Sequence, residues 1–271
     1  MKRTWFSLVT SVAFAALLYG PSPALAQTAP PLGTAQNFAV LGGSTVTNTG
    51  SSTITGDFGV SPGSAYSGFP PGLVVSGTIH AADATAAAAQ TSVTTAYNSL
   101  ESQACTQDLT GQDLGGKTLT AGVYCFSTSA QLTGTLTLNA QGNAGAVFIF
   151  KIGSTLTTAS GSSVVVINSG SVCNVFWQVG SSATLGTTTS FAGNILALSS
   201  ITLNTGANVT ARTLARNGAV TLDSNNVSIS SCAGGAVPTL PQWGVSFLAA
   251  GLLGLGYLRL RRRSVGAART A

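Results

Sequence analysis

The amino-acid sequence predicts a β-solenoid, a fold in which each turn of the chain forms a few short strands and successive turns stack. Towards the C-terminal end, three columns of residues share one period of roughly 20 residues, which is the sequence signature of a repeat architecture. The columns are Leu185, Leu203 and Leu222; Phe191, Val209 and Val227; and the pairs Leu196-Ala197 and Leu214-Ala215. The repeat is rich in Thr, Gly, Asn and Val and contains no helical pattern, which is typical of stacked β-coils. Stacking places equivalent side chains in straight ladders about 4.8 Å apart.

One segment departs from the β pattern and predicts a single long helix at about residues 82–104. It is rich in Ala and contains neither Gly nor Pro. Its apolar residues follow spacings of three and four, which is one stripe of a helix: Ala82, Ala86, Ala89, Val93, Tyr97, Leu100 and Ala104. Asp83 falls in the first turn, where a negative charge suits the helix dipole. We therefore expect this helix to pack along one side of the solenoid.

The stretch from residue 33 to 232 is long enough for one domain, which we extend to 27–236. It contains four basic residues and six acidic ones, so its net charge is −2, whereas the whole chain carries +5. The excess of basic residues belongs to the two ends of the chain and gives no reason to expect nucleic-acid binding. Apolar runs such as Val164-Val165-Val166-Ile167 supply a core and argue against disorder.

The N-terminal segment, 1–26, has the pattern of a secretory signal peptide. Lys2 and Arg3 precede an apolar run from Phe6 to Leu18, and Ala24-Leu25-Ala26 forms an A-x-A cleavage site. A transmembrane anchor is the weaker alternative, because the apolar run is short. The pattern predicts export of the mature chain.

The other end, residues 237–271, has three parts: a short motif, an apolar run from Val245 to Leu258 and a cluster of arginines. The run is near the lower limit of a membrane span, and the arginines place the extreme C-terminus in the cytoplasm. The motif resembles the IPTL-CTERM sorting signals of Gram-negative bacteria and comprises Pro238, Thr239, Leu240, Trp243 and Gly244. The resemblance implies transient anchoring in the inner membrane, recognition by exosortase-like machinery, and release to the surface or medium. A permanent membrane anchor is the alternative.

The four cysteines are an even number in a chain that is expected to be exported, so disulfides are predicted. Four cysteines allow three pairings. We favour Cys105 with Cys125, which closes a short loop after the helix, and Cys173 with Cys232, which ties the last coil to an earlier one. A zinc site is disfavoured because no two cysteines are close in sequence and His80 is the only histidine.

Nearly the whole of residues 33–232 resembles the DUF3494 type of ice-binding protein. The resemblance rests on six stretches in the same order: 41–50, 53–63, 119–124, 146–153, 174–180 and 191–197. It implies an irregular, right-handed, three-sided β-solenoid with one long α-helix alongside. It also implies that the first strands pack beside the last ones, and that the partner is an ice surface.

The residues of this chain suggest where such a surface would lie. One column of Thr-Leu-x-Thr repeats aligns Thr155 with Thr184, Thr202 and Thr221, and a second column follows it at the next turn. The second column is similar to the family's Thr-(Ala/Gly)-x-(Thr/Asn) motif, most clearly at 205–208. The candidate ice-binding residues are Thr155, Thr158, Ser160, Thr184, Thr187, Thr189, Thr202, Thr205, Ala207, Asn208, Thr221 and Ser224.

Catalysis is not expected, and neither a cofactor nor a metal is predicted. Some β-solenoids cleave polysaccharides with clustered carboxylates, but the acidic residues here are scattered except for Asp108 and Asp113. We interpret these two as caps or loop residues after the helix, and His80 as a residue at the helix start. The alternative to ice binding is a cell-surface adhesin or matrix protein that uses the same ladders against polysaccharide or neighbouring cells.

Overall fold

The structure is a computed structural model and describes residues 27–232. The predicted signal peptide and the C-terminal segment, 237–271, lie outside the described residues. Within 27–232, short strands and one long helix alternate with tight turns, and every strand pairing is parallel. Along most of the chain, consecutive strands fall in three different sheets in turn. The architecture is therefore the expected three-sided β-solenoid.

The largest sheet, which we call sheet A, has nine strands. In spatial order they are β7 (Ile79–Ala81), β4 (Asp57–Val60), β1 (Phe38–Gly42), β22 (Thr213–Ala215), β19 (Asn194–Ala197), β16 (Val175–Val179), β13 (Phe148–Ile152), β10 (Gly122–Phe126) and β8 (Gln107–Asp108).

Sheet B has seven strands. They are β11 (Ala130–Leu132), β14 (Leu156–Thr158), β17 (Ala183–Leu185), β20 (Ile201–Leu203), β23 (Val220–Asp223), β2 (Thr45–Thr49) and β5 (Ala65–Ser67).

Sheet C has eight strands. They are β6 (Leu73–Ser76), β3 (Thr53–Thr55), β24 (Asn226–Ser228), β21 (Asn208–Thr210), β18 (Ser190–Ala192), β15 (Ser163–Ile167), β12 (Thr135–Asn139) and β9 (Thr118–Leu119). Two short 3-10 helices, Gly33–Asn37 and Val172–Asn174, precede β1 and β16.

The core lies between the three sheets and is filled by alternate residues of each strand. Its middle is an aromatic stack in which the ring centroids of Phe150 and Trp177 are 3.9 Å apart and those of Tyr124 and Phe150 are 5.4 Å apart. Trp177 is fully buried, and its indole N–H donates to the Ala192 carbonyl at 3.1 Å. Parallel in-register pairing brings these rings together, because β10, β13 and β16 place Tyr124, Phe150 and Trp177 opposite one another.

The first three strands do not form an end of the solenoid but lie beside the last ones. β1 pairs with β22, β2 with β23 and β3 with β24. Arg212 fastens this arrangement: Nη1 donates to Asn194 Oδ1 at 2.8 Å, while Nε donates to the carbonyl of Gln36 at 3.1 Å, just before β1. Burial lowers the pKa of Arg212 to about 10. The implied packing of the first strands against the last is confirmed.

The helix α1, Ala84–Glu101, is slightly shorter than the predicted 82–104. Asp83 is its N-cap, and the side-chain carboxylate accepts from the backbone N–H of Ala86 at 2.8 Å. The predicted stripe is buried from Ala86 to Leu100 and packs on the outer side of sheet A, against Phe38, Leu41, Ile149, Phe176, Leu196 and Leu214. The outer face of sheet A is therefore covered along the helix.

Both favoured disulfides are present. Cys105 is bonded to Cys125 with their Cα atoms 5.8 Å apart, and Cys173 is bonded to Cys232 with their Cα atoms 5.4 Å apart. The first fixes the chain after α1 to β10, and the second fixes the end of the described chain to the turn before β16. Among residues 27–232, no helix is both long and apolar enough to cross a membrane.

Candidate functional site

The outer face of sheet B carries a straight column of polar side chains, one from each strand. The strand registers place its members opposite one another in the order Gln131, Thr157, Thr184, Thr202, Thr221, Thr47 and Ser67. The five central members, from Thr157 to Thr47, are all threonine. At the spacing of neighbouring strands these five span about 19 Å. We call them the threonine column.

Sheet B is the most regular of the three faces. Sheet A has a register shift between β1 and β4, and sheet C has one between β3 and β6, whereas the pairings of sheet B are unshifted throughout. Sheet A is also covered by α1, and sheet C exposes apolar side chains such as Leu73, Val75 and Val165. Sheet B is therefore the face on which identical side chains recur in the straightest array.

The hydroxyls of the threonine column are largely free. Those of Thr157, Thr184 and Thr202 make no hydrogen bond to any residue in the range 27–232. Thr47 and Thr221 share one long contact, in which Thr47 Oγ1 donates to Thr221 Oγ1 at 3.4 Å. Side chains in this column are exposed or half-buried. The column thus presents methyl groups and unsatisfied hydroxyls to solvent together.

The threonine column contains three of the residues that the sequence predicts, namely Thr184, Thr202 and Thr221. The expected alignment is wrong for the preceding coil, because the structure pairs Thr157, and not Thr155, with Thr184. Thr155 precedes β14, and its hydroxyl donates to Ser129 Oγ at 2.8 Å. A shift of two residues keeps the same side of a strand outward, so sequence alternation alone does not distinguish the two alignments.

Three predicted residues are buried and do not present a side chain to an external surface. Thr158 is 3% exposed and points inward, and Thr189 and Ala207 are fully buried. Oγ1 of Thr158 lies 2.9 Å from Oγ1 of Thr189 and accepts from the backbone N–H of Gly186 at 2.9 Å. The expectation that Thr158 faces solvent is therefore wrong. The pair instead satisfies polar groups inside the corner between sheets B and C.

The remaining predicted residues lie on the turns between sheets B and C, or on sheet C itself. Thr187 Oγ1 donates to Ser160 Oγ at 2.7 Å. Thr205 Oγ1 and Ser224 Oγ both donate to the carboxylate of Asp223. The hydroxyls of these turn residues, Ser160, Thr187, Thr205 and Ser224, are thus occupied by hydrogen bonds within the protein.

Asn208 belongs to β21 in sheet C and so faces a different direction from the threonine column. Its Oδ1 accepts from the backbone N–H of Asn226 at 2.7 Å, which links β21 to the start of β24. The motif at 205–208 therefore turns the chain from sheet B to sheet C.

The prediction from sequence omits two members of the threonine column, Thr47 and Thr157. Thr157 stands in the Thr-Leu-Thr-Thr stretch that is displaced by two positions, and its coil is longer than the coils of the regular repeat that follow it. Thr47 lies in the Thr45–Thr49 strand, far from the repeat, and its position depends on the insertion of β2 beside β23. The alternation of Val46 with Thr45 and Thr47 is the sequence signal that could have indicated an outward threonine there.

Three acidic residues outside sheet B, Asp83, Asp108 and Asp113, have local structural roles. Asp108 accepts from the backbone N–H of Thr110 at 2.8 Å, and hydrogen bonds from Thr110 lower the pKa of Asp108 below its usual value. Asp113 accepts from the backbone N–H groups of Gly115 and Thr133. His80 Nδ1 lies 2.6 Å from Asp83 Oδ2 at the start of α1. Within residues 27–232 no group of three His, Cys, Asp or Glu side chains is placed to hold a metal ion.

The fold and this face define a class of protein: a three-sided parallel β-solenoid with a helix on one side and a regular, uncharged array of threonines on another. The sequence profile of the Ice-binding-like family matches residues 40–228. This match covers more than half of the chain, and the protein belongs to that family.

Individual relatives and solved structures agree with this assignment. The chain is 64% identical over 198 residues to an ice-binding protein from Nostoc sp. (strain HG1), covering 73% of each chain. Its structure is similar to the crystal structure of an ice binding protein from an Antarctic biological consortium, with a TM-score of 0.74, 46% identity, and 77% and 95% of the two chains covered. It is also similar to an ice-binding protein from the Antarctic ascomycete Antarctomyces psychrotrophicus, with a TM-score of 0.72, 40% identity, and 74% and 98% covered.

Proposed function

We propose that this protein binds ice, and that it does so through the threonine column of sheet B. The observation that carries the proposal is the run of five threonines on five neighbouring strands, with three of their hydroxyls free of bonds within the described chain. Membership of the ice-binding-like family and the ice-binding relatives support the same function.

The chemistry of threonine suits a solid water surface. Methyl groups leave the adjacent water without a bonding partner on one side, while hydroxyls at a fixed spacing hold individual water molecules in place. Because the strands of sheet B are in register, the held waters share the spacing of the strands. Each contact is weak, but many contacts on one rigid face act together and make adsorption long-lived.

This activity needs no cofactor, metal or catalytic group, and we assign none to the chain. Adsorption depends instead on the rigidity of the face. Parallel hydrogen bonding on both sides of the inner strands and the aromatic stack behind them supply that rigidity.

We further propose that the protein is exported and acts outside the cell. The signal-peptide pattern of residues 1–26 supports export, as do the two disulfides, which persist in oxidising compartments. The C-terminal motif at 238–244, with the apolar run and arginines after it, supports handling by exosortase-like machinery in the inner membrane of a Gram-negative bacterium.

The proposal is tested by replacing one threonine at the middle of the column. Thr202→Tyr places a bulky ring between Thr184 and Thr221, where it holds the neighbouring side chains away from a flat surface. We expect thermal hysteresis and inhibition of ice recrystallisation to fall severalfold. The side chain points outward, so the melting temperature of the protein should change little.

The matched control is Thr91→Tyr on the exposed side of α1, where the hydroxyl bonds only to the carbonyl of Ala87 in the same helix. This variant should keep full ice activity. If Thr91→Tyr loses activity while Thr202→Tyr retains it, sheet B is not the ice-binding face and the proposal is wrong. Absence of ice activity in the wild type, together with binding to polysaccharide, would instead support the adhesin alternative.

A further inference from the structure

Asp223 is the one charged residue in the strands of sheet B, as the structure describes them. It lies two residues after Thr221, on the same outward side of β23, and opposite Thr49 of β2. It is half-buried, and the salt bridges within residues 27–232 do not include it. In the described part of the chain, a carboxylate with no neutralising cation therefore borders the threonine column.

Two hydroxyls of the adjoining turns donate hydrogen bonds to this carboxylate. Thr205 Oγ1 donates to Oδ2 at 2.5 Å, and Ser224 Oγ donates to Oδ1 at 3.3 Å. The backbone N–H of Asp223 is held separately, by Asn225 Oδ1 at 2.6 Å. The carboxylate thus bonds hydroxyls of two adjoining turns, while the backbone of Asp223 is held independently of it.

The preceding coil shows the same position without a charge. Strand pairing places Thr202 opposite Thr221, so Asn204 is the counterpart of Asp223, two residues further along each chain segment. Asparagine has nearly the same shape as aspartate and occupies this turn without altering the register of β20 against β23. At this position the two coils differ in charge, and the turn that follows is one residue shorter in the coil that contains Asp223.

We propose that Asp223 sets the lateral limit of the ice-binding face. This inference rests on the proposed function of the threonine column. A carboxylate orients several water molecules strongly around itself, which competes with the ordering that the neighbouring threonines impose. It also removes the hydroxyls of Thr205 and Ser224 from the contact surface. The ice-contacting area is confined to the threonine column, although a second column of hydroxyls lies on the turns beside it.

The test compares two variants of Asp223. Asp223→Asn removes the charge and keeps a hydrogen-bond acceptor for Thr205, whereas Asp223→Ala removes the charge and also releases both corner hydroxyls. We expect thermal hysteresis at equal protein concentration to rise in Asp223→Asn and to rise further in Asp223→Ala, to roughly twofold, because a second column of contacts joins the first. Circular dichroism and the melting temperature establish that each variant is folded.

Glu101→Gln is the matched control, since Glu101 is exposed at the end of α1 and its replacement changes the net charge by the same amount. Its ice activity should equal that of the wild type. If folded Asp223→Asn and Asp223→Ala are no more active than the wild type, while Thr202→Tyr loses activity, the inference about Asp223 fails and the proposed function stands. If the wild type and all variants lack ice activity, the proposed function itself fails.

Discussion

Removal of the Cys173–Cys232 disulfide is expected to destabilise the protein more than removal of the Cys105–Cys125 disulfide. The two bonds close loops with sequence separations of 59 and 20 residues. In the chain-entropy model these loops correspond to about 4.2 and about 3.3 kcal/mol. The longer bond also holds the segment from Ile229 to Cys232, whose two end side chains are 7% and 9% exposed, against the rest of the solenoid.

These free energies convert to a measurable difference in melting temperature. For a domain of about 150–250 residues, each kcal/mol shifts the melting temperature by about 2–4 °C. The Cys173→Ala/Cys232→Ala variant should therefore melt roughly 8–17 °C below the wild type, and Cys105→Ala/Cys125→Ala roughly 7–13 °C below it. Thermal unfolding followed by circular dichroism, with guanidinium titration for the free energy, measures both.

Ice activity provides an independent check on this reasoning. Ice activity is measured near the freezing point, and neither disulfide lies in sheet B. Both variants should therefore keep thermal hysteresis close to that of the wild type. The reasoning is refuted if removal of Cys105–Cys125 lowers the free energy of unfolding more than removal of Cys173–Cys232 does. It is also refuted if either variant unfolds at the same temperature as the wild type.

Two further predictions concern the helix and the C-terminal segment. Hydrogen bonds from the backbone N–H of Ala86, and to a smaller extent from the side chain of His80, lower the pKa of Asp83 below its ordinary value. The stability that this carboxylate contributes is therefore fully present above the ordinary pKa of aspartate and is lost as the pH falls through the lowered pKa. Asp83→Asn keeps a capping side chain without a charge, and guanidinium titrations from about pH 5 to about pH 2 should show a smaller loss of stability than in the wild type; equal losses would contradict the assignment. For the C-terminal segment, intact mass and fractionation should find mature protein without the arginine cluster at 261–263, and a Pro238→Ala/Trp243→Ala variant should keep it in the inner membrane; wild-type protein that retains the cluster would indicate a permanent anchor.

Sequence reasoning was most successful where the chain is regular. The stretch from Ala183 to Ser228 repeats with a nearly constant period, so its leucine and threonine columns could be aligned by inspection. The stripe of α1 was equally clear, since Ala86 to Leu100 follow helical spacing and are buried as expected. In both cases a local period determines which side of the element is buried.

The predicted alignment of the threonines was wrong where the spacing of the sequence repeat does not match the strand register in the structure. The coil that contains Thr157 is lengthened before β16 by the turn and 3-10 helix near Val172–Asn174, which displaced the alignment of Thr155. The polarity of Thr158 and Thr189 also led to a wrong prediction of exposure. Their hydroxyls form a hydrogen bond with each other inside the corner between sheets B and C. A buried pair of this kind has no signature in one sequence, since each member has the composition of a surface residue.

The length of the threonine column depends on the unusual order of the coils. Without the insertion of the first strands, the repeat from Thr157 to Thr221 would give a run of four threonines that ended at an open sheet edge. β2 adds Thr47 opposite Thr221, from a position 174 residues away in the chain, and β5 then covers the new edge. Arg212 secures the insertion from the other side by holding the carbonyl of Gln36, immediately before β1. The face that we propose for ice is therefore a product of long-range packing, and a substitution that releases the N-terminal coil would shorten the column without altering any residue of the repeat.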